Sequence, residues 1–329
     1  MDPRFRGDDG IFPIFNREWY ITGTLPHMNI DTFILFHPYY YFAIIGLFGL
    51  AIGSFLNVVI VRLPQMLQQS WKAQSIEYLL EDHPKVIASS FVPSEKTSEP
   101  TFNLFLPRSH CPSCKTPLKI WHNIPLLSFL LLKGQCAHCK KKISWRYPTI
   151  EFITALLSVI VAMHFGFSWQ TLFALILTWV LILLSMIDFD HKILPDDIMI
   201  PMIWLGLFTS LFGIFLSPKD AILGAVMGYG SLYLLYQAFK LITGKEGMGF
   251  GDFKLLSLLG AWLGWQSLPM ILIFSSFLGA TYGLILIFFT GHNRDVPIPF
   301  GPYLAGAGWL SLIWGNTLTQ WYLTLFGML

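Results

Sequence analysis

The sequence predicts an all-α, polytopic membrane protein of about eight transmembrane helices with one small polar domain. Three observations carry this. Of the 329 residues, 54% are hydrophobic, 16% aromatic and only 12% charged, where a soluble domain carries about 25% charge. Apolar stretches near the roughly 20 residues needed to span a bilayer recur from residue 41 onward. One long polar block separates the first of them from the rest. The net charge of +2 is too small to imply a nucleic-acid partner. Four cysteines are too few for a disulfide scaffold.

Residues 1–40 form an N-terminal extension without a recognisable fold. MDPRFRGDDG is charged and turn-rich, and Met28 opens a second candidate start, MNIDTF. The extension reads either as an upstream start-site product or as a disordered tail. No small-residue cleavage site follows an apolar region, so no signal peptide is predicted. The predicted spans are 41–61, 149–166, 169–187, 197–216, 220–242, 253–266, 269–290 and 303–326. The sixth is short and follows a glycine-rich turn, as a half-helix starting inside the membrane would. The polar block, 62–148, holds 12 of the 21 Lys and Arg residues, which places it in the cytoplasm. Alternation then puts Lys192, Lys245 and Arg294 in cytoplasmic loops and both termini outside. Arg4, Arg6 and Arg17 disagree with that placement. The organisation is therefore an extension (1–40), a first span (41–61), a cytoplasmic domain (62–148) and a membrane-embedded domain (149–329).

Within the polar block, Cys111-Pro-Ser-Cys114 and Cys136-Ala-His-Cys139 form two CxxC pairs separated by residues 115–135. Each pair folds readily as a tight knuckle, and two knuckles complete a tetrahedral Cys₄ site for structural Zn²⁺. A reducing cytoplasm disfavours disulfides there. The competing reading is four free or redox-active thiols. A closed zinc site has no open position for chemistry and would act as a staple for a small zinc-binding domain.

Carboxylates cluster where the membrane spans end. Asp188, Asp190, Asp196 and Asp197 lie in SMIDFDHKILPDD, and Asp252 lies in GMGFGDFKLL. Ionisable groups at membrane depth are costly and mark function. Two carboxylates sharing a site cannot both ionise easily, so one retains a proton and the pair can activate water and protonate a leaving group. Asp196 follows Pro195 and reads as a helix N-cap. Asp197 reads as a first-turn complement to the dipole, and Asp190 as a solvated group near Lys192. Asp188 closes an apolar run and Asp252 follows Gly249-Phe250-Gly251, so these two are the candidate pair. Water-mediated hydrolysis and ion-coupled transport both use such acids. A zinc-dependent assembly factor without catalysis is a third reading.

Six segments then resemble the bifunctional type IV prepilin peptidases: GSFLNVVIVRLP (53–64), RSHCPSCKTPL (108–118), NIPLLSFLLLKGQCAHCKKKISWRYPTIE (123–151), IDFDHKILPD (187–196), GMGFGDFKLLSLLGAWLGW (247–265) and PIPFGPYLA (297–305). They cover most of the chain beyond residue 40. The resemblance implies a GxGD-type aspartyl protease of the bacterial inner membrane. Such enzymes remove the leader of type IV prepilins and type II secretion pseudopilins after a glycine at the cytoplasmic face, and methylate the new N-terminus from S-adenosylmethionine. It implies Asp188 and Asp252 as catalytic residues, preferring Asp188 to Asp190. It implies zinc on Cys111, Cys114, Cys136 and Cys139, and a role in methylation for Gly134. Lys133 stands where the family often has Arg. The archaeal preflagellin peptidases are similar in chemistry but lack such a cysteine block. A peptidase without methyl transfer remains the alternative.

Gly249 and Gly251 are supporting candidates that would admit an extended substrate backbone. No GxGxxG loop supports a Rossmann-type methyltransferase. Candidate donor-site residues are Lys133, Gly134, Asn57, Arg62 and Glu151, with Gly53 beside them. Their competing roles are close helix packing for Gly53, an interhelical hydrogen bond for Asn57, a topology anchor for Arg62 and a helix-terminal charge for Glu151. Trp262, Trp265, Trp314 and Trp321 fall near span ends, where amphipathic rings favour the interface. Met186, Met199, Met202 and Met248 read as packing, as do the small residues of GDFKLLSLLGAWLG. The lipid bilayer and prepilin-type substrates are the expected partners.

Overall fold

The computed structural model describes residues 38–82, 103–111, 113–118, 124–245, 247–290 and 298–325. The chain divides into Met1–Tyr41 and Phe42–Leu329; residues 1–37 of the expected extension lie outside the described residues. The helices are α1 (Pro38–Asp82), α2 (Leu127–Leu131), α3 (Arg146–Phe165), α4 (Trp169–His191), α5 (Asp196–Leu211), α6 (Pro218–Thr243), α7 (Phe250–Leu263), α8 (Leu268–Thr290) and α9 (Gly301–Leu325). A 3₁₀ turn, Trp265–Ser267, joins α7 to α8. Each of the eight predicted stretches falls on one of the eight longer helices. Among the described residues, α1, α3, α4, α6 and α8 are long and apolar enough to cross a membrane. The 14 residues of α7 give only about 21 Å of rise.

Local chemistry sets the ends. Ser168 caps α4 by accepting the Thr171 N–H, and Ser217 caps α6 by accepting that of Asp220, with Pro218 at the first helical position. Lys192 takes the left-handed conformation and closes α4 through its N–H to the Asp188 carbonyl, 2.8 Å. The first helix departs most from expectation. Instead of ending near residue 61 it runs through Pro64 to Asp82. Forty-five residues reach about 68 Å, twice the hydrocarbon thickness.

The core is centred on α7. Phe253, Leu255, Leu256, Leu258, Leu259, Ala261 and Trp262 are all buried, in one cluster with residues of α4, α5, α6 and α9. Lipid is as apolar as leucine, so close backbone approach and hydrogen bonds hold such helices together. Gly224 of α6 and Gly260 of α7 are in such close register that a Cβ on either would overlap the other's backbone. Ser257 donates to the Ala225 carbonyl at 2.9 Å. These contacts bear out the packing role of the small residues. Trp262 does not sit at an interface: it is 1% exposed and donates to the Met202 carbonyl at 2.8 Å. Burying a Trp inside a membrane bundle requires this acceptor for its N–H. Trp265 is partly exposed and donates to Asp220. Trp314 is exposed at a non-helical residue of α9, and the Trp321 side chain lies outside the described residues. Met199 and Met202 are buried, and Met186 and Met248 pack on the two clusters.

A second cluster joins α1, α3 and α4 through Leu56, Val59, Ile60, Ile150, Leu183 and Ile187. Gly49 and Gly53 let α1 lie on α3: a Cβ on Gly53 would stand 2.7 Å from the Glu151 Cα. Close helix packing is thus the role this structure gives Gly53.

Candidate active site and cysteine centre

Asp188 lies in the last turn of α4 and Asp252 in the first turn of α7. Both are buried, with 5% and 9% exposure. They interact electrostatically and line one cavity of about 560 Å³. The elements around them explain the placement. Lys192 ends α4 just past Asp188, Pro195 starts α5, and Gly249 is the N-cap of α7. The Asp252 N–H reaches back to the Gly249 carbonyl at 3.2 Å.

A third element completes the site. The N–H of Gly301, first residue of α9, donates to Asp188 Oδ2 at 2.9 Å. A Cβ on Gly301 would come within 2.6 Å of that oxygen. A side chain at this position would have to displace the carboxylate. PIPFGPYLA was noted in the sequence without a role for this residue.

The two glycines of the acid loop differ. A Cβ on Gly249 would meet nothing nearer than Asp252 Oδ2 at 4.0 Å, so space is open beside the carboxylate. A Cβ on Gly251 would lie 2.9 Å from the Leu194 Cβ, so Gly251 is small because the α4–α5 connection packs on it.

The remaining acids are occupied otherwise. Asp190 is exposed and forms a bidentate pair with Arg146 at the start of α3. It is therefore ion-paired rather than merely solvated. Asp196 is not the N-cap of α5. Pro195 holds that position, and the Asp196 carboxylate accepts from Lys254 Nζ at 2.7 Å with both oxygens. A helix already started by Pro195 has no use for an aspartate cap one residue later. Asp197 lies in the first turn, as expected. Lys192, Asp196, Asp197 and Lys254 line the cavity with the central pair. So do Leu67 and Trp71 from the extended part of α1, which sequence analysis missed. Their i, i+4 spacing on one helix face was the available signal.

The four cysteines converge. Their sulfurs all lie within 4.8 Å of one another, with Cys111–Cys139 at 3.8 Å and Cys114–Cys136 at 4.0 Å. Tetrahedral zinc with Zn–S bonds of about 2.3 Å requires separations of about 3.8 Å. The donor set and spacing therefore fit this ion. The two knuckles repeat the same backbone pattern. Lys115 and Lys140 donate to the carbonyls of Cys111 and Cys136, and both have positive φ. Leu118 and Ile143 donate to Ser109 and Gly134. The sulfurs share protons as a set: hydrogen bonds from Thr116 push the Cys114 thiol down to about 6, while burial and the neighbouring sulfurs push that of Cys139 up to about 11.

A second cavity, of about 360 Å³, lies between these knuckles, α1 and α3. Cys111 and Cys136 form part of its wall. Three of the five candidate donor-site residues, Asn57, Arg62 and Glu151, line it; Lys133 and Gly134 do not. Asn57 Nδ2 donates to the Tyr147 carbonyl at 3.1 Å, the interhelical bond that was its competing reading. Arg62 clasps the segment before the first knuckle, donating to the carbonyls of Asn103, Leu104 and Pro107. Gly134 has positive φ, and a Cβ there would lie 3.1 Å from the Phe129 ring.

The comparisons with known proteins agree with this geometry. Residues 47–165 match the Bacterial Peptidase A24 N-terminal domain, and residues 175–284 match the Type IV leader peptidase family. The chain is 53% identical to a prepilin leader peptidase/N-methyltransferase of Aeromonas hydrophila over 88% of this chain and 96% of that protein. It is 49% identical to one of Pseudomonas aeruginosa over 91% and 99%, and 43% identical to one of Legionella pneumophila over 89% and 98%. No solved structure matches the chain significantly. With a cysteine block before a bundle whose paired aspartates share one cavity, this chain belongs to the type IV leader peptidase family.

Proposed function

We propose that this chain is a membrane aspartyl endopeptidase that cleaves the leader of type IV prepilins and pseudopilins after a glycine, and N-methylates the residue so exposed. One observation carries the peptidase half: Asp188 and Asp252, from separate helices, are buried yet open into the same cavity. The names of relatives that span nearly the whole chain support both halves.

In this reading the two carboxylates hold a water between them. One removes its proton as it attacks the scissile carbonyl, while the other donates a hydrogen bond to the carbonyl oxygen. A proton then passes to the departing amine. The pair titrates as a unit, so neither acid is the fixed base. The Gly301 N–H occupies one oxygen of Asp188 and keeps that side chain in one orientation. The open space beside Gly249 receives the substrate backbone, which must leave its helical form to expose the amide. Leu67 and Trp71 give the cavity an apolar wall.

Cys111, Cys114, Cys136 and Cys139 would hold Zn²⁺ as a structural ion that draws the two knuckles together. S-adenosylmethionine supplies a methyl group on a sulfonium, for which the freed N-terminal amine, once neutral, is the acceptor. The chain is a multi-pass inner-membrane protein in this assignment. The Lys and Arg content of residues 62–148 favours a cytoplasmic position for that block and for the active site.

The test follows the mass of a purified prepilin with a Gly-Phe junction, mixed with the detergent-solubilised protein and S-adenosylmethionine. Loss of the leader plus one methyl group is expected, and neither leader loss nor methylation of the uncleaved substrate with Asp252→Asn. Equal cleavage by that variant would overturn the aspartyl mechanism. Leader loss without the methyl group would leave only the peptidase.

A further inference from the structure

We propose that the cavity between α1, α3 and the cysteine knuckles is the methyl-donor site, and that Glu151 is the counter-charge for the donor's cationic sulfonium. This assignment rests on the chain being a methyltransferase. The cavity's volume of about 360 Å³ lies in the range of small-molecule sites, roughly 300–1,000 Å³. Val58 and Val61 of α1 and the rings of Phe129 and Tyr147 give it apolar and aromatic walls.

Glu151 stands out on that wall. It is only 9% exposed. Its Oε2 accepts the Leu126 N–H at 2.9 Å, and Ser54 lines the same cavity. Among the described residues no cation pairs with it. A buried carboxylate with hydrogen bonds but no counter-ion is costly, and a ligand that brings a positive charge removes that cost. S-adenosylmethionine carries such a charge on sulfur. Aromatic faces beside the carboxylate attract the same cation and stack on a purine.

Gly134 does not line the wall but bears on a residue that does. A side chain there would press on the ring of Phe129, which does line it. Lys133 and Gly134 both have positive φ, a backbone conformation that strains any side chain placed at Gly134.

Binding of S-adenosylmethionine and of S-adenosylhomocysteine, its neutral thioether product, distinguishes this site. Both would be measured by equilibrium dialysis on the full-length protein in detergent. Glu151→Gln should weaken S-adenosylmethionine at least tenfold and S-adenosylhomocysteine less than threefold, because only the former carries the sulfonium. Val61→Trp, at an exposed position of α1, should weaken both at least tenfold by filling the cavity. Prepilin cleavage, which uses the other cavity, should stay within twofold in both variants. Unchanged donor binding in the two variants would overturn the site. Equal losses of both ligands in Glu151→Gln would overturn the counter-charge role. Loss of cleavage alongside binding in both variants would overturn the separation of the two cavities. If the unaltered protein neither binds S-adenosylmethionine nor methylates, the methyltransferase reading itself fails.

Discussion

The cavity of Asp188 and Asp252 sits at the ends of helices whose other turns are among the best buried in the molecule, whereas the cavity beside Glu151 is walled on one side by two knuckles with almost no regular structure. The first draws its precision from packing. Asp252 is carried by α7, which has neighbours on all sides, and Asp188 is fixed by an N–H from α9. The second is bordered by two knuckles whose four sulfurs lie within 4.8 Å of one another. The lesson is that one chain supports two cavities of different mechanical origin, a packed bundle and a pair of loops that meet at four cysteines. Perturbations should therefore separate them.

The largest separation should come from the acids. Asp188→Asn or Asp252→Asn should lower cleavage by about 10³-fold or more, since in the proposed mechanism each group acts as acid and base in turn. Methylation of a substrate already lacking its leader should stay near that of the unaltered protein. Mass spectrometry of both reactions checks this. Parallel loss of both activities would break the contrast between the cavities. The reverse asymmetry is expected from Cys136→Ser. Structural zinc supplies much of the folding free energy of small domains, so one lost ligand should open the knuckles. Methyl transfer should fall about a hundredfold and cleavage by less than tenfold, with metal content falling in parallel by elemental analysis.

Gly301→Ala sharpens the packing side of the comparison. The added methyl group would collide with Asp188 Oδ2, and a displacement near 1 Å in a catalytic group costs up to about 10²-fold. Steady-state kinetics should show the loss in kcat with little change in KM. The smallest effect belongs to Lys254→Gln. Its pair with Asp196 is part-exposed, and such pairs contribute about 0.2–1 kcal/mol. Cleavage should change by less than fivefold, and a much larger loss would assign Lys254 to the substrate or to the carboxylates.

Much of this molecule was readable in order along the chain. Low charge and repeated apolar stretches specify a helical membrane bundle because hydropathy is a local property, summed over about 20 residues. Two CxxC pairs specify their own knuckles, since each closes within a few residues. The aspartates were narrowed to two by their place at the ends of apolar runs, and the family resemblance made the final choice over Asp190. Burial gives the physical counterpart of that choice: Asp188 is enclosed while Asp190 is exposed and paired with Arg146.

Other features depended on distance in sequence. The Gly301 N–H that holds Asp188 comes from 113 residues away, and no local pattern announces a backbone donor. Pro195, not Asp196, stands at the N-cap position of α5, and the Asp196 carboxylate pairs with Lys254 on another helix. Trp262 was enclosed rather than interfacial because Gly206 and the Met202 carbonyl face it from α5. Leu67 and Trp71 reached the acid cavity only because α1 continues past Pro64. The sequence by itself determined the class of fold and the pairing of the cysteines, both encoded in composition and short-range spacing, and it narrowed the acids to a few candidates among which the family resemblance chose. Only the tertiary structure decided which helix end would orient Asp188, which residues would wall each cavity and that Glu151 would be buried beside one, because those outcomes depend on surfaces brought together by packing.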